Sequence, residues 1–476
     1  MSTFAVIESH KASSTPVASK KPFYVGVTYC GDNVTEAEQL IDRVKDYTNL
    51  FVVQSGPLMD NGTALDQICD YAVDSGLNII VYFANGVPTV NVPSFLASAY
   101  ADWSSHFLGV YYDDEPGGRM LDSGMQLYDA SSGQGIIKGT GWVTVDAHGA
   151  NIFGTNETNV FSVFTFYPSG KIVVSTGYLN SSFGYMTTYY ANGTVENNFT
   201  RKVNGTYTIE DLFYQPNGTV QNQNGNLVTD EGNISQFEPY SELWNTNPIQ
   251  NYTDAANVFV STEQHTLSSI GNQSDVNLFT SDYGLYWFDY LGGYNTVLAE
   301  LFGEQTDAQT LALVRGAADM QNKSWGSMIE WASQSPISLQ TGSQIYNEMR
   351  RAYEDGAEYV VVFNYSPSNN GIGLLQDSQF AAIQKFWTDV VQNPKVTNNV
   401  TGQDALVLPE NYGWGMRNLN DTIWGLWPAD NNSQQVWNAV QASLSKYGSK
   451  LDIVYNDPAY PTIGRYQHLY CWNQTI

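Results

Sequence analysis

Cysteine, histidine and charged residues are scarce in this sequence. Of 476 residues, 3 are Cys and 5 are His, and Lys+Arg number 20 against 47 Asp+Glu. Three cysteines cannot all pair within one chain, and without a C-x-x-C or His-rich spacing we expect neither a structural metal site nor a cofactor. The net charge of −27 argues against nucleic acid and anionic membranes as partners, because both carry the same sign of charge.

Long apolar runs are absent as well. No stretch approaches the roughly 20 apolar residues of a membrane-spanning helix, so we expect no membrane span. Residues 1–21 contain no run of signal-peptide length and are predicted to form a flexible leader, which leaves this sequence without an export signal. Neither G-x-S-x-G nor a phosphate-binding loop is present, which argues against serine-hydrolase and nucleotide-dependent chemistry.

Glycosylation sequons, in contrast, are abundant. The chain contains about seventeen Asn-x-Ser/Thr sites, where its composition alone would produce roughly seven. We therefore predict an extracellular or cell-surface protein with covalent N-glycans. The sites that we single out are Asn33, Asn61, Asn192, Asn204, Asn217, Asn251, Asn322 and Asn420.

Apolar β runs alternate with amphipathic helices from Pro22 onward. The predicted strands begin near Phe23, Leu50, Asn78, Phe107, Val276, Thr296, Trp325 and Glu358. Near-continuous apolar strands separated by helices predict a parallel sheet that is buried on both faces. Eight of them predict an α/β fold with a (β/α)₈ TIM barrel. The first helix is predicted to begin at a Thr35 cap, with Glu38 completing a capping box.

Two segments do not fit the barrel pattern. Residues 128–233 alternate short apolar runs with Asn-Gly and Ser-Gly turns, which predicts a β-rich insertion of antiparallel hairpins after strand 4. Residues 394–476 follow a polar linker and contain a strand, a helix and a strand. We predict that they form a C-terminal α/β extension packed against the barrel. The barrel itself is then assigned to residues 22–127 and 234–393.

Carboxyl groups stand at the predicted ends of three barrel strands. Asp113, Asp114 and Glu115 end the fourth strand, Glu300 lies in the sixth, and Glu330 lies in the seventh. Side chains at the carboxyl ends of barrel strands line the active-site mouth. Consecutive acids repel one another, which raises the pKa of at least one of them, as a general acid requires.

The segment after these acids, Pro116–Gly118, is predicted to turn the chain sharply and keep them exposed. The whole layout resembles the retaining glycoside hydrolases built on TIM barrels, in which the acid/base glutamate ends strand four and the nucleophile ends strand seven. The resemblance covers Pro22 to Asn393 as architecture, and it implies these roles for Glu115 and Glu330.

That clan usually has Asn before the acid/base, whereas Asp114 precedes Glu115 here. An alternative pair therefore stays open, with Asp114 as the acid and Glu300 as the nucleophile. The C-terminal strand, helix and strand resemble the start of the flavodoxin-like domain that follows the barrel in some β-galactosidases.

Residues near the acids are candidates for sugar binding, because flat rings stack on pyranose faces. These candidates are Tyr112, Asp113, Asp282, Tyr283, Trp287, Asp289 and Trp331. Together with the acids they predict hydrolysis of O-glycosidic bonds in a poly- or oligosaccharide. Arg315, in a predicted helix, is expected to lie on the helix surface or form a structural ion pair rather than bind substrate.

Other functions fit the same residues. A non-catalytic glycan-binding or cell-surface structural glycoprotein could use the barrel as a scaffold, because fold alone does not imply catalysis. The acids from Asp113 to Glu115 could instead bind Ca²⁺ or Mg²⁺, cap the following segment, or pair with Arg119. Acids on three separate strand ends favour an enzyme, since a binding protein needs the aromatic rings but not a carboxylate pair.

Overall fold

The fold is described from a computed structural model. The residues that it describes are 22–83, 92–123, 142–146, 149–154, 160–166, 172–179, 183–190, 192–203, 206–228, 251–268, 270, 276–301, 307–330, 332–333, 338–365, 372–393 and 402–474. The predicted leader, Asn204 and Trp331 lie outside them. The chain divides into one unit of residues 1–118, 266–423 and 428–476 and another of residues 119–265 and 424–427.

Four strands, each followed by a helix, open the described chain. The strands are β1 (Tyr24–Tyr29), β2 (Leu50–Val53), β3 (Asn78–Phe83) and β4 (Phe107–Tyr112). The helices are α1 (Val34–Val44), α2 (Gly62–Asp74), α3 (Val92–Asp102) and α4 (Pro116–Ser123). Most strand residues are buried, as expected of strands that helices cover on one face and a core fills on the other.

Helix α1 is capped by Asn33 and not by Thr35, so that prediction was wrong. Asn33 Oδ1 accepts hydrogen bonds from Thr35 N (2.9 Å) and Glu36 N (3.3 Å). The hydroxyl group of Tyr29 holds Asn33 in place, because it accepts from Asn33 N (2.9 Å) and donates to Asn33 O (2.7 Å). The helix therefore begins at Val34, two residues earlier than a cap at Thr35 would place it.

The second unit contains an eight-stranded antiparallel sheet in which each strand pairs with its neighbours in the sequence. Its strands are β5 (Trp142–Asp146), β6 (Gly149–Gly154), β7 (Val160–Phe166), β8 (Ile172–Leu179), β9 (Phe183–Tyr190), β10 (Val195–Val203), β11 (Thr206–Tyr214) and β12 (Val220–Asn222). Tight turns join the last of them, and Gly193 (φ 84°) and Gly218 (φ 86°) adopt the left-handed conformation that such turns require. Helix α5 (Tyr252–Ser268) follows in the sequence.

Four further strands return the chain to the parallel pattern, with a short hairpin among them. The strands are β13 (Leu278–Asp282), β14 (Thr296–Leu301), β15 (Ser324–Ile329), the hairpin strands β16 (Ala332–Ser333) and β17 (Ser338–Leu339), and β18 (Tyr359–Val362). The helices are α6 (Tyr286–Gly292), α7 (Asp307–Gln321), α8 (Gly342–Glu354) and α9 (Asp377–Phe386).

Eight parallel strands close into a barrel in the order β1-β18-β15-β14-β13-β4-β3-β2. They correspond to the eight runs recognised in the sequence, so the barrel prediction is confirmed. The interior is packed with side chains, as in a TIM-type barrel. Its buried cluster comprises Leu50, Val52, Ile80, Tyr111, Phe279, Leu298, Met328, Tyr359 and Val361.

The C-terminal segment forms a small parallel sheet with one strand that the sequence did not reveal. The elements are β19 (Asp404–Leu408), α10 (Asn431–Tyr447), β20 (Leu451–Tyr455) and β21 (His468–Cys471), with β19 in the centre of the sheet. Arg315 of α7 joins this sheet through a buried ion pair, since its Nε lies 2.7 Å from Asp452 Oδ1. Arg315 is therefore a structural ion-pair residue.

Two further observations concern the described residues alone. No helix among them is long and apolar enough to cross a membrane. Cys30, Cys69 and Cys471 are free thiols that form no disulfide.

Candidate active site

The acids after β4 lie in a sharp turn. Asp113 (φ 56°) and Glu115 (φ 53°) adopt left-handed backbone conformations, which cost a non-glycine residue about 1–3 kcal/mol. Backbone hydrogen bonds hold the turn, from Asp113 N to Phe83 O (3.1 Å) and from Glu115 N to Ser281 O (3.0 Å). The prediction that Pro116–Gly118 make the turn was wrong, because these residues open helix α4, where proline fits the first turn.

Asp282, at the end of β13, binds the start of α4. Its carboxylate accepts hydrogen bonds from Gly117 N (2.6 Å), Gly118 N (2.8 Å), Tyr283 N (2.7 Å) and Gly284 N (3.0 Å). Burial raises the pKa of Asp282 to about 7, although the four N–H donors act in the opposite direction. Asp282 is a candidate sugar-binding residue from the sequence, and here it is fully buried with backbone donors on both of its oxygens.

Only glycine fits at the second and third positions of α4, Gly117 and Gly118. A Cβ atom on Gly118 would lie 2.3 Å from the ring of Tyr283, and one on Gly117 would lie 2.8 Å from Gly284 O. The ring of Tyr283 is thus packed against α4, and the guanidinium group of Arg417 lies 5.6 Å from its centroid. Tyr283 is half-buried in this packing.

A hydrogen-bonded chain joins Asp114 to Glu300. The hydroxyl group of Tyr111 donates to Asp114 Oδ1 and lies 2.7 Å from Ser281 Oγ. Ser281 Oγ lies 2.7 Å from Glu300 Oε1 and 3.3 Å from Asp114 Oδ1. The two carboxylate oxygens are therefore at most about 6 Å apart, close to the carboxyl separations of ~5 to 9.5 Å in glycoside hydrolases.

The number of protons in this hydrogen-bonded chain bears on the protonation state of Asp114 and Glu300. Three close oxygen contacts, from Asp114 through Tyr111 and Ser281 to Glu300, each need one proton. The hydroxyl groups of Tyr111 and Ser281 supply only one proton each. If all three contacts are hydrogen bonds, the third proton is carried by Asp114 or Glu300, and burial, which raises the pKa of Glu300, favours Glu300.

Four acids from three strand ends influence one another. Burial raises the pKa of Glu300 well above its usual range, and the negative charges of Glu115, Glu330 and Asp114 raise it further. The pKa of Glu330 is raised in the same way, first by burial and then by Glu115 and Asp114. Glu300 is buried, whereas Asp114, Glu115 and Glu330 are partly exposed. The structure thus brings together the four acids that were catalytic candidates from the sequence.

An open cleft of about 320 Å³ lies at the carboxyl ends of the barrel strands, and Asp114 is the one of these four acids that lines it. The cleft is also lined by Cys30, Gln54, Tyr82 and Tyr365. Burial raises the pKa of the Cys30 thiol to about 12, and Asp114 and Glu330 add to the increase, so this thiol lies within the field of both acids.

The other candidate sugar-binding residues are not brought together at the cleft. Tyr112, Asp113, Trp287 and Asp289 are all buried. The indole of Trp287 donates to Asp457 Oδ2 (3.3 Å) and contacts rings of the C-terminal sheet. Its environment is therefore that of a core side chain.

Sequence reasoning missed Ser281, Gln54 and the hydroxyl group of Tyr111. Ser281 connects two acids, and Gln54 Nε2 donates to the Tyr111 hydroxyl group (3.4 Å). One signal was available in the sequence. Small or polar residues near the ends of otherwise apolar strands point into the barrel mouth as readily as acids do.

The sequon asparagines that were singled out in the sequence and lie within the described residues are all exposed. They are Asn33, Asn61, Asn192, Asn217, Asn251, Asn322 and Asn420. Exposure allows an oligosaccharide to be attached without disrupting packing.

Within the described ranges, no group of three or more His, Cys, Asp or Glu residues is arranged to hold a metal ion. No protein-family model matches the chain, and no curated protein matches it.

Proposed function

We propose that the chain is an extracellular glycoside hydrolase that cleaves O-glycosidic bonds of a poly- or oligosaccharide. The observation that carries this proposal is the convergence of Asp114, Glu115, Glu300 and Glu330 from three strand ends. Like charges are costly to hold together in a buried setting, so a structural role alone would not favour such a cluster.

Hydrolysis needs one protonated and one ionised carboxyl group. The protonated group gives its proton to the glycosidic oxygen while the bond from that oxygen to the anomeric carbon breaks. The ionised group stabilises or attacks the anomeric carbon, and water then supplies the new hydroxyl group and returns one proton to the enzyme.

We assign these roles to Glu115 as proton donor and Glu330 as ionised carboxylate. Both are partly exposed, and Glu115 is the strongest of the like charges acting on Glu330. Two carboxyl groups that interact in this way titrate as a pair and retain one proton to a higher pH than an isolated glutamate. A pair with one proton contains both of the states that the reaction uses.

Asp114 and Glu300 have a supporting role in this scheme. Their shared proton removes one negative charge from the cluster, which lets Glu330 ionise more easily. Ser281 and Tyr111 position that proton through the contacts described above.

The test is hydrolysis of a panel of polysaccharides and aryl glycosides, from acidic to neutral pH. Wild type is compared with Glu115→Gln, Glu330→Gln, Asp114→Asn and Glu300→Gln, and with Glu354→Gln as a surface control. We expect Glu115→Gln and Glu330→Gln to lower kcat by about 10²–10⁴, the contribution typical of general acid–base catalysis. Glu354→Gln should be unchanged.

Two outcomes would revise the proposal. If Asp114→Asn and Glu300→Gln abolish activity while the other pair does not, the alternative pair is catalytic. If no substrate is cleaved and every folded variant still binds glycans, the chain is the non-catalytic glycan-binding or cell-surface glycoprotein and the enzyme proposal fails.

A further inference from the structure

The lining of the cleft beside Asp114 is acidic. Asp32 and Glu36, from the loop after β1 and the first turn of α1, line it together with Asp114. None of the described lining residues is Lys or Arg. Among the ion pairs of the described residues, none involves Asp32 or Glu36.

Gln54 adds a hydrogen-bond acceptor to the same cleft. Its Nε2 donates to the hydroxyl group of Tyr111, whose own proton is directed to Asp114. The carbonyl oxygen of Gln54 is buried and has no hydrogen-bond partner in the part of the chain that the structure describes. A buried acceptor without a donor costs about 1–3 kcal/mol, which a bound donor would recover.

Aromatic side chains also line this cleft. Phe363 and Tyr365 stack on each other with centroids 6.0 Å apart and an interplanar angle of 15°. Tyr365 is 43% exposed, and Tyr82 also lines the cleft. Ring faces attract both the C–H face of a sugar and a cation.

We propose that this cleft binds a saccharide with protonated amino groups, such as an oligomer of glucosamine, with an ammonium group at Asp32 and Glu36. This inference rests on the proposed function, which makes the ligand a saccharide. It goes beyond that function by naming the charge that the saccharide carries. A uronate or sulfated sugar would be repelled by the three carboxyl groups. A neutral sugar could donate to Gln54 but would leave the charges of Asp32 and Glu36 uncompensated.

The experiment measures calorimetric binding of three tetrasaccharides of equal length at about pH 5.5, where amino groups are protonated. The ligands are tetramers of glucosamine, N-acetylglucosamine and galacturonate. The full chain carries Glu330→Gln so that hydrolysis does not interfere. We expect the glucosamine tetramer to bind at least tenfold more tightly than the other two, with an affinity that falls as salt is added.

Two double variants in this background test the assignment to residues. Asp32→Asn with Glu36→Gln should lower affinity for the glucosamine tetramer at least tenfold and change N-acetylglucosamine binding less than twofold. Asp42→Asn with Asp46→Asn removes the same charge from exposed positions that do not line the cleft, and it should change neither.

The inference is overturned if the neutral or the anionic tetramer binds at least as tightly, if no tetramer binds, or if the Asp32 and Glu36 changes leave glucosamine binding intact. Failure of the proposed function would look different. Tight, charge-dependent glucosamine binding without hydrolysis by the wild type would reject the hydrolase and keep this inference. Hydrolysis of neutral glycans with no preference for amino groups would keep the hydrolase and reject this inference.

Discussion

Asp114 and Glu300 lie on neighbouring parts of the barrel mouth, and the hydroxyl group of Ser281 contacts both of them, at 3.3 Å and 2.7 Å. The hydroxyl group of Tyr111 provides a second hydrogen-bonded connection between Asp114 and Ser281. Two acids that share protons through two hydroxyl groups respond to pH as one unit. Predictions about protonation therefore concern the pair and its connecting residues.

Glu300 should be protonated at neutral pH. Infrared difference spectra should contain a protonated carboxyl band at pH 7 that disappears in Glu300→Gln. In Ser281→Ala the band should persist to a higher pH than in the wild type, because the hydrogen bond from Ser281 lowers the pKa of Glu300. Absence of the band in folded wild type at pH 7 would contradict the proton count.

Glu348 should make the protein less stable as pH rises. Burial, and then the charge of Asp307, raise the pKa of Glu348 to about 8, above the value of about 4.3 in an unfolded chain. The folded state therefore holds a proton that the unfolded state loses between these values, and stability falls across that window. The loss is on the order of a few kcal/mol by pH 8.

Glu348→Gln should remove this dependence, so that the melting temperature falls less between pH 5 and pH 8 than in the wild type. Glu354→Gln, a partly exposed change in the same helix, should leave the wild-type slope in place. Equal slopes for wild type and Glu348→Gln would show that Glu348 is ionised throughout.

Replacing one partner of the ion pair between Arg315 and Asp452 should strongly destabilise the folded protein. Both side chains are at most 2% exposed, and Arg315 also donates to Leu451 O (2.7 Å). Asp452→Ala leaves a buried charge and should lower the free energy of unfolding in urea by about 3–5 kcal/mol. Replacing both partners, as in Arg315→Met with Asp452→Leu, should recover part of that loss. A double variant as unstable as the sum of the single changes would contradict this account.

Gly118→Ala should destabilise the acid-bearing turn. The new methyl group would lie 2.3 Å from the Tyr283 ring, so the ring or α4 must shift at a cost of about 1–3 kcal/mol. Gly56→Ala is the matched control for stability, because nothing lies within 4 Å of a Cβ there and its φ of −58° suits alanine. Thermal unfolding of the two variants compares them directly, and equal melting temperatures would rule out the clash.

Glycan occupancy should follow exposure. When the chain is produced in a eukaryotic secretory pathway, peptide mapping after enzymatic deglycosylation should find modified Asn at the exposed sequons. The sequon at Asn364 is the internal control, because this side chain is 1% exposed and bonded to Ile372 O and Leu375 N. Occupancy at Asn364 with none at the exposed sites would contradict the prediction.

The barrel could be predicted because its signal is local. Apolar runs such as Leu50–Val53 and Thr296–Leu301 have few polar interruptions, and each alternates with a helix of ordinary length. The strand His468–Cys471 was missed because only four residues pair and none of them is fully buried. Its formation depends on β19, more than sixty residues earlier in the chain.

The acids of the site could be predicted for a similar reason, since each lies in or directly after an apolar strand. Their connections could not. Ser281 contacts Asp114 across a sequence separation of 167 residues, and a lone serine in a strand carries no pattern. The location of the turn was also misjudged, because the left-handed conformations fall on Asp113 and Glu115, where composition favours the neighbouring glycines.

The hydrogen bonds that Asp282 accepts from the amides of Gly117 and Gly118 have a consequence for protein engineering. The acid-bearing turn and the end of β13 form one structural unit, since the carboxylate of Asp282 is bonded to the amides of Gly117 and Gly118. A loop graft that transfers only residues 113–118 into another barrel would lose its anchor. A graft that also carries residues 281–284 would bring the anchor with it.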